Sequence, residues 1–217
     1  MGQESTVIHY NPRLAQQVRY AKAFQAGFSS LGDSVVITDN INQPGNTHVT
    51  LGPWYAKKRW EGHSSHLHLD RAYWGDPDCV SLHWLDSGLK RFVFNNTTKR
   101  PYPRLKKQKT GSRSIYLAGY AEHVDQPVDK IRRHPSEQRP TMDLEAELSE
   151  FDVAYGSNST ALVAALVQGL HVVTRSQNSP VYGITNRKQR MNDLAHHNWS
   201  FDEIQSGEAL SWIKLQK

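Results

Sequence analysis

The chain has 217 residues, a hydrophobic content of 37% and a formal net charge of +5, with a mean hydropathy of −0.67 and a sequence pI of about 9.3. That is enough chain for one sizeable core or two small lobes, and no apolar run approaches the roughly 20 residues of a membrane span. Cys79 is the only cysteine, which excludes an internal disulfide and fits a reducing compartment. No signal-peptide pattern precedes the first strand, so the expected location is cytoplasmic.

Residues 5–10 read as a first strand. Asn11-Pro12 then fits the N-cap and N1 positions of a helix, with Leu14, Val18, Ala21, Phe24 and Phe28 on its apolar face. Gly32-Asp33 ends it, and residues 34–38 form the second strand. A β-α-β start within about 38 residues points to a parallel sheet. No Gly-rich dinucleotide fingerprint follows the first strand, which argues against NAD or FAD. Residues 47–51 read as a third strand and residues 54–60 as a short helix with an aromatic and a basic face.

Residues 66–69 read as a buried strand that ends in Asp70-Arg71, at the carboxyl end where α/β sheets bind ligands. His66, His68 and Asp70 alternate on one strand face, and His63 lies just before them. That spacing suits a zinc site; it is equally what a half-polar strand lining a cleft shows, and no second ligand cluster at helix spacing supports a metal. Residues 80–85 and 90–94 read as a hairpin around Asp86-Ser87-Gly88. From Ser87 to Ala121 the chain has no acidic residue, but it holds Lys90, Arg91, Lys99, Arg100, Arg104, Lys106, Lys107, Lys109 and Arg113. Such a block attracts polyanions, and it also reads as a solvated basic linker. The expected organisation is a first lobe over 1–98, a basic linker over 99–113 and a second lobe over 114–217.

The second lobe opens with a strand at 114–118, followed by Gly119. Residues 128–132 give another strand, which runs into Arg132-Arg133-His134-Pro135. Residues 142–151 read as a short acidic helix with Leu144, Leu148 and Phe151 at helical spacing. Residues 152–155 form a strand, Gly156-Ser157-Asn158-Ser159 a polar turn, residues 160–167 a strongly apolar helix closed by Gly169, and residues 171–174 the next strand. A turn of this kind gathers hydroxyls and backbone N–H groups at one spot and suits an anion; a plain Ser N-cap has the same sequence. Residues 186–197 read as a polar helix, and 201–215 as a last helix opened by a Ser200/Glu203 capping box.

This order of strand, Arg-Arg-His-Pro, helix, strand, Gly-Ser-Asn-Ser-Thr, buried helix and strand resembles the donor-binding half of GT-B glycosyltransferases that carry a His-Pro and a Ser-Ser/Thr motif. Bacterial sialyl-, polysialyl- and Kdo-transferases of capsule synthesis and related phage proteins are of this kind. Residues 179–185 also resemble the segment that follows this unit in the capsule Kdo-transferases, so the resemblance covers about residues 114–185. One departure is plain: GT-B donor lobes place a full helix before the His-Pro strand, and only residues 120–127 are available for it.

The resemblance implies an α/β fold of two small Rossmann-like lobes, a minimal GT-B-like arrangement with a cleft between them. The N-terminal lobe would hold the acceptor; the C-terminal lobe would hold the donor and carry the closing helix. It implies a sugar transfer from a nucleotide-sugar co-substrate, without a required metal. It places His134 on the donor phosphate, with Arg133, Gly119, Gly156, Ser157, Asn158, Ser159 and Thr160 around it. Paired guanidinium groups at Arg132-Arg133 suit phosphate. A general base must come from the first lobe: Asp70 is the first choice, His68 the second and Glu122 a third, and Asp70-Arg71 also reads as a structural ion pair. Trp54, Trp60, Tyr73 and Trp74 offer stacking surfaces. The acceptor is either a glycan hydroxyl or a hydroxymethylated base in double-stranded DNA, contacted through Arg71, Lys106, Lys107 and Lys109. The remaining alternative is a protein that binds a nucleotide or DNA without catalysis.

Overall fold

A computed structural model describes residues 5–40, 42–51, 65–75, 78–86 and 89–217. The helix expected over 54–60, together with Trp54, Trp60, His63 and the Ser87-Gly88 turn, lies outside the described residues. In chain order the elements are β1 (Ser5–His9), α1 (Ala15–Ser30), β2 (Ser34–Thr38), β3 (Thr47–Leu51), β4 (His66–Arg71), β5 (Val80–Asp86), β6 (Leu89–Lys90), β7 (Ser114–Leu117) and β8 (Lys130–Arg132). They continue with α2 (Leu144–Ser149), β9 (Val153–Tyr155), α3 (Ala161–Val167), β10 (His171–Val173), α4 (Arg187–Ala195), β11 (Asn198–Trp199), α5 (Phe201–Gln205) and α6 (Glu208–Lys214). Among the described residues, no helix is long and apolar enough to cross a membrane.

The chain divides into two compact units: Met1–Val93 with His196–Lys217, and Phe94–Ala195. The fold is mixed α/β. The first unit holds a seven-stranded sheet of order β11-β5-β4-β3-β1-β2, with β6 paired to β5. β2, β1, β3 and β4 run parallel to one another, whereas β5, β6 and β11 are antiparallel additions.

Strand alternation sorts this sheet into two chemically different faces. Ile8, Val49, Leu51, Leu67, Leu69, Leu82 and Trp84 point into one core with Tyr20, Phe24 and Phe28 of α1 and with Ile204, Leu210 and Ile213 of α5 and α6. Phe24 and Phe28 are fully buried, and burial of each phenyl ring contributes about 1.5–3 kcal/mol. The Trp84 indole donates to the Ile213 carbonyl at 2.7 Å, which satisfies its N–H inside this core.

Two helix ends differ from the sequence expectation. Asn11 does not cap α1; its Oδ1 accepts from the Arg13 backbone N–H at 3.0 Å and makes a local turn, and the helix begins four residues later. An Asn side chain satisfied by its own turn is the usual competitor of an N-cap. The last helix is interrupted at Gly207, whose φ of 87° ends α5 and restarts the chain as α6. The Ser200/Glu203 capping box is present at α5.

The second unit holds a four-stranded sheet of order β10-β9-β7-β8, parallel throughout. Ile115, Leu117, Ala154 and Val172 are buried in it, with Leu148, Phe151, Leu162, Val163 and Leu166 from α2, α3 and the turn after α2. No helix joins β7 to β8; residues 118–129 cross over as turns and loop. The basic stretch 99–113 belongs to this unit. Lys106 N–H donates to the Val167 carbonyl and Lys109 N–H to the Gly169 carbonyl, at 2.9 and 2.8 Å. Gly169 permits this approach: its φ is 89°, and a Cβ there would lie 2.2 Å from the Lys107 carbonyl oxygen.

Candidate functional site

In a parallel sheet the carboxyl ends of all strands lie on one edge. In the second unit that edge collects Gly119 and Glu122 after β7, Arg133 and His134 after β8, Gly156 to Thr160 after β9, and Thr174 after β10. Every residue that the resemblance placed on the donor side therefore follows a strand at this edge.

Glu122 ties the edge. Its Oε1 accepts from the Tyr116 hydroxyl at 2.7 Å and from the Ser157 hydroxyl. Its Oε2 accepts from the Gly119 backbone N–H at 2.6 Å, and its carbonyl accepts from Arg133 Nη1 at 2.8 Å. Thr174 joins the network by donating to the Ser157 carbonyl at 2.7 Å. Burial alone would raise the Glu122 carboxyl, but the bonds from Ser157, Gly119 and Tyr116 and the Arg133 charge outweigh it and hold the group below its ordinary value; bonds to the charged form favour it. Burial and the same carboxylate push Tyr116 up. With three donors on its carboxylate and its basicity lowered, Glu122 organises the edge and is poorly suited to act as a base.

The crossover that replaces the usual helix makes this possible. Ala121 sits in left-handed conformation at φ 53°, which folds Glu122 back over the strand ends. Gly156 has a packing reason of its own, because a Cβ there would lie 2.8 Å from the Leu117 carbonyl oxygen.

His134 is half-buried. Its Nδ1 lies 2.6 Å from Ser136 Oγ and accepts from the Ser136 backbone N–H at 3.3 Å. A backbone N–H can only donate, so the neutral ring carries its proton on Nε2 and is a hydrogen-bond donor there. The Tyr120 ring packs edge-on against it with centroids 6.0 Å apart. Ser159 Oγ accepts from Ala161 N–H at 3.2 Å and keeps its own proton to give. Thr160 is the N-cap of α3 by position but makes no side-chain cap bond. α3 has seven residues, so its terminus adds less to an anion than the sequence suggested, and the edge rests on its side chains.

The Arg132-Arg133 pair is split by strand alternation. Arg132 turns to α2, where it pairs with Glu147, joined by Lys130 at 2.7 Å from the same carboxylate. Only Arg133 faces the edge, where it makes no ion pair with a carboxylate among the described residues. Lys109 is also committed elsewhere: its Nζ donates to the carbonyls of Leu148, Ser149 and Phe151 at 3.2, 2.7 and 2.6 Å, capping the carboxyl end of α2. Lys106 and Lys107 remain exposed.

In the first unit, Asp70 and Arg71 end β4. Asp70 accepts from Lys90 Nζ at 2.6 Å and from the Arg71 backbone N–H at 2.7 Å. Burial works to raise its carboxyl, yet Lys90 and the backbone bond prevail and the group is lowered. His68 is buried, with Nδ1 3.0 Å from Thr50 Oγ1, and His66 Nε2 lies 2.8 Å from the same hydroxyl. Arg71 is exposed.

Sequence reasoning caught only part of a larger feature here. Cross-strand register puts His9, His48, Thr50, His66, His68, Asp70 and His83 on one sheet face, opposite the apolar core, and these five histidines are buried. His9 Nε2 and His48 Nδ1 are 3.0 Å apart. The Tyr73 hydroxyl meets His83 Nε2 at 2.8 Å, and His83 stacks on His197 at 4.5 Å between centroids. His197 donates from Nδ1 to the Leu82 carbonyl and accepts at Nε2 from Val93 N–H, at 2.8 and 3.0 Å. Polar alternation in residues 47–51 and 66–71 was the available signal. Among the described residues, no group of three or more His, Cys, Asp or Glu is placed to hold a metal ion.

Compared with protein-family models, with curated proteins and with solved structures, the chain matches none.

Proposed function

We propose that the chain is a nucleotide-sugar-dependent glycosyltransferase, with the donor held at the strand-end edge of the four-stranded sheet. The observation that carries this reading is the Glu122 network, which fixes four strand ends so that Arg133, His134, Asn158, Ser159 and Thr160 flank one edge. Departure of a nucleotide needs its phosphate charge neutralised as it develops. His134 supplies an Nε2–H donor and Arg133 a guanidinium; Ser159 and Thr160 supply hydroxyls. These groups suffice for the charge without a metal. A GT-B-like organisation, in which the first unit is the acceptor lobe, belongs to this reading. Its base is Asp70 or His68, and its acceptor is a hydroxyl on a hydroxymethylated DNA base or on a glycan.

The Asp70–Lys90 pair favours a second reading, in which the chain binds a nucleotide-sugar without transferring it. A carboxylate bound to an ammonium at 2.6 Å is a weak base until the pair opens. Thermal shift with UDP-, CMP- and GDP-sugars tests the common part, since a ligand that binds the folded state raises its melting temperature. Turnover with the stabilising donor then separates the two: glycosyl transfer lost in Asp70→Asn supports catalysis, and hydrolysis or transfer absent with every acceptor supports binding alone.

A further inference from the structure

We infer that an open groove on the second unit, between residues 105–108 and 185–188, is a track for the phosphate backbone of a nucleic acid. The groove has a volume of about 470 Å³, and half of its lining residues are cations: Lys106, Lys107, Arg187 and Lys188. No acidic side chain lines it. Lys106, Lys107 and Lys188 are exposed, and their charges add at one place.

The track is built into the fold. Residues 106–109 are hydrogen-bonded along the end of α3, which holds consecutive lysines in a fixed frame. Arg187 Nη2 donates to the carbonyls of Lys106 and Leu166 at 3.2 and 2.6 Å. These bonds hold the guanidinium in place beside the lysines. Burial lowers Arg187, in the direction expected of a cation left without a counter-charge.

The chemistry of the lining selects the partner. No aromatic side chain lines the groove, so bases have nothing to stack on and the contact is with phosphates, independent of sequence. Regularly spaced charge on a polymer suits a row of cations on an open surface, and each phosphate neutralised releases counterions. This inference stands apart from the donor site, which lies at the strand ends and uses none of these residues.

The test is binding of a mixed-sequence DNA duplex of about 20 base pairs by fluorescence anisotropy, over salt from about 50 to 200 mM. The triple variant Lys106→Ala/Lys107→Ala/Lys188→Ala is expected to melt like the wild type and to flatten the log–log salt slope by about 2–3. Arg187→Lys, which keeps the charge and loses the fork, is expected to weaken binding several-fold at fixed salt. Equal slopes for wild type and triple variant overturn the inference. So does a triple variant that loses binding to phosphatidylserine vesicles while it keeps DNA binding, because the groove would then serve a membrane surface. Nucleotide-sugar affinity of the triple variant is expected to be unchanged, so a failed donor reading and a failed groove give different results.

Discussion

Glu122 is the residue on which most of the candidate site depends. Its carboxylate accepts from Tyr116, Ser157 and Gly119, so Glu122→Gln replaces an acceptor by an NH₂ group facing another donor. We expect a loss of about 1–3 kcal/mol in stability, read by denaturant unfolding, and a weaker nucleotide-sugar affinity by calorimetry. Because its folded carboxyl is lowered, its contribution is complete above the ordinary carboxylate value of 4.5 and is lost as pH falls below it. Lys109 makes a different prediction from its neighbours. Its ammonium caps three carbonyls, so Lys109→Ala should lower stability by about 1–2 kcal/mol and leave the DNA salt slope as it was. A slope change equal to that of Lys106→Ala would contradict the structural role.

At the scale of elements, α2 and β8 are joined by one buried carboxylate. Glu147 is 4% exposed and pairs with Lys130 and Arg132. Removing it leaves the largely buried Arg132 without its counter-charge, so Glu147→Ala should destabilise the protein by about 3–5 kcal/mol, measured by chemical denaturation. Leu148 and Phe151 were legible as buried residues from their spacing, although Phe151 lies just past the end of α2, as were the strands at 47–51, 114–117 and 171–173, because period-two and helical patterns follow directly from burial. The order of motifs at 133–134 and 156–160 also located one sheet edge, since parallel topology gathers strand ends. What was illegible is how charged side chains are spent. Nothing local says that Arg132 serves Glu147 while Arg133 serves the edge, or that Lys109 is a helix cap among free lysines. Those assignments depend on neighbours 11 to 42 residues away in sequence. The Glu122 clamp was hidden for the same reason: the loop over 118–129 carries it back to the strand ends.

Across the whole molecule the two units answer to pH through different groups. In the first, burial and then His48 push His9 down from 6.5 to about 4, and burial and then His197 hold His83 well below its ordinary value. Such histidines are neutral in the fold and take up protons when it opens. Stability of this unit is therefore complete above pH 6.5 and falls as pH drops from 6.5 towards 4. In the second unit, Glu122 and Glu147 are lowered carboxyls, and their contribution fades only below 4.5. All six tryptophans lie in the sequence ranges of the first unit, so indole fluorescence should shift between pH 6.5 and 4 while backbone circular dichroism of the remainder persists. Coincident transitions would contradict this division. The donor edge is tested most directly by calorimetric titration of the best-stabilising nucleotide-sugar into wild type, His134→Ala and Ser159→Ala. Each substitution should weaken binding by about 1–3 kcal/mol, the range for a charge-assisted hydrogen bond, with the free proteins still cooperatively folded; affinities unchanged in both variants would contradict it.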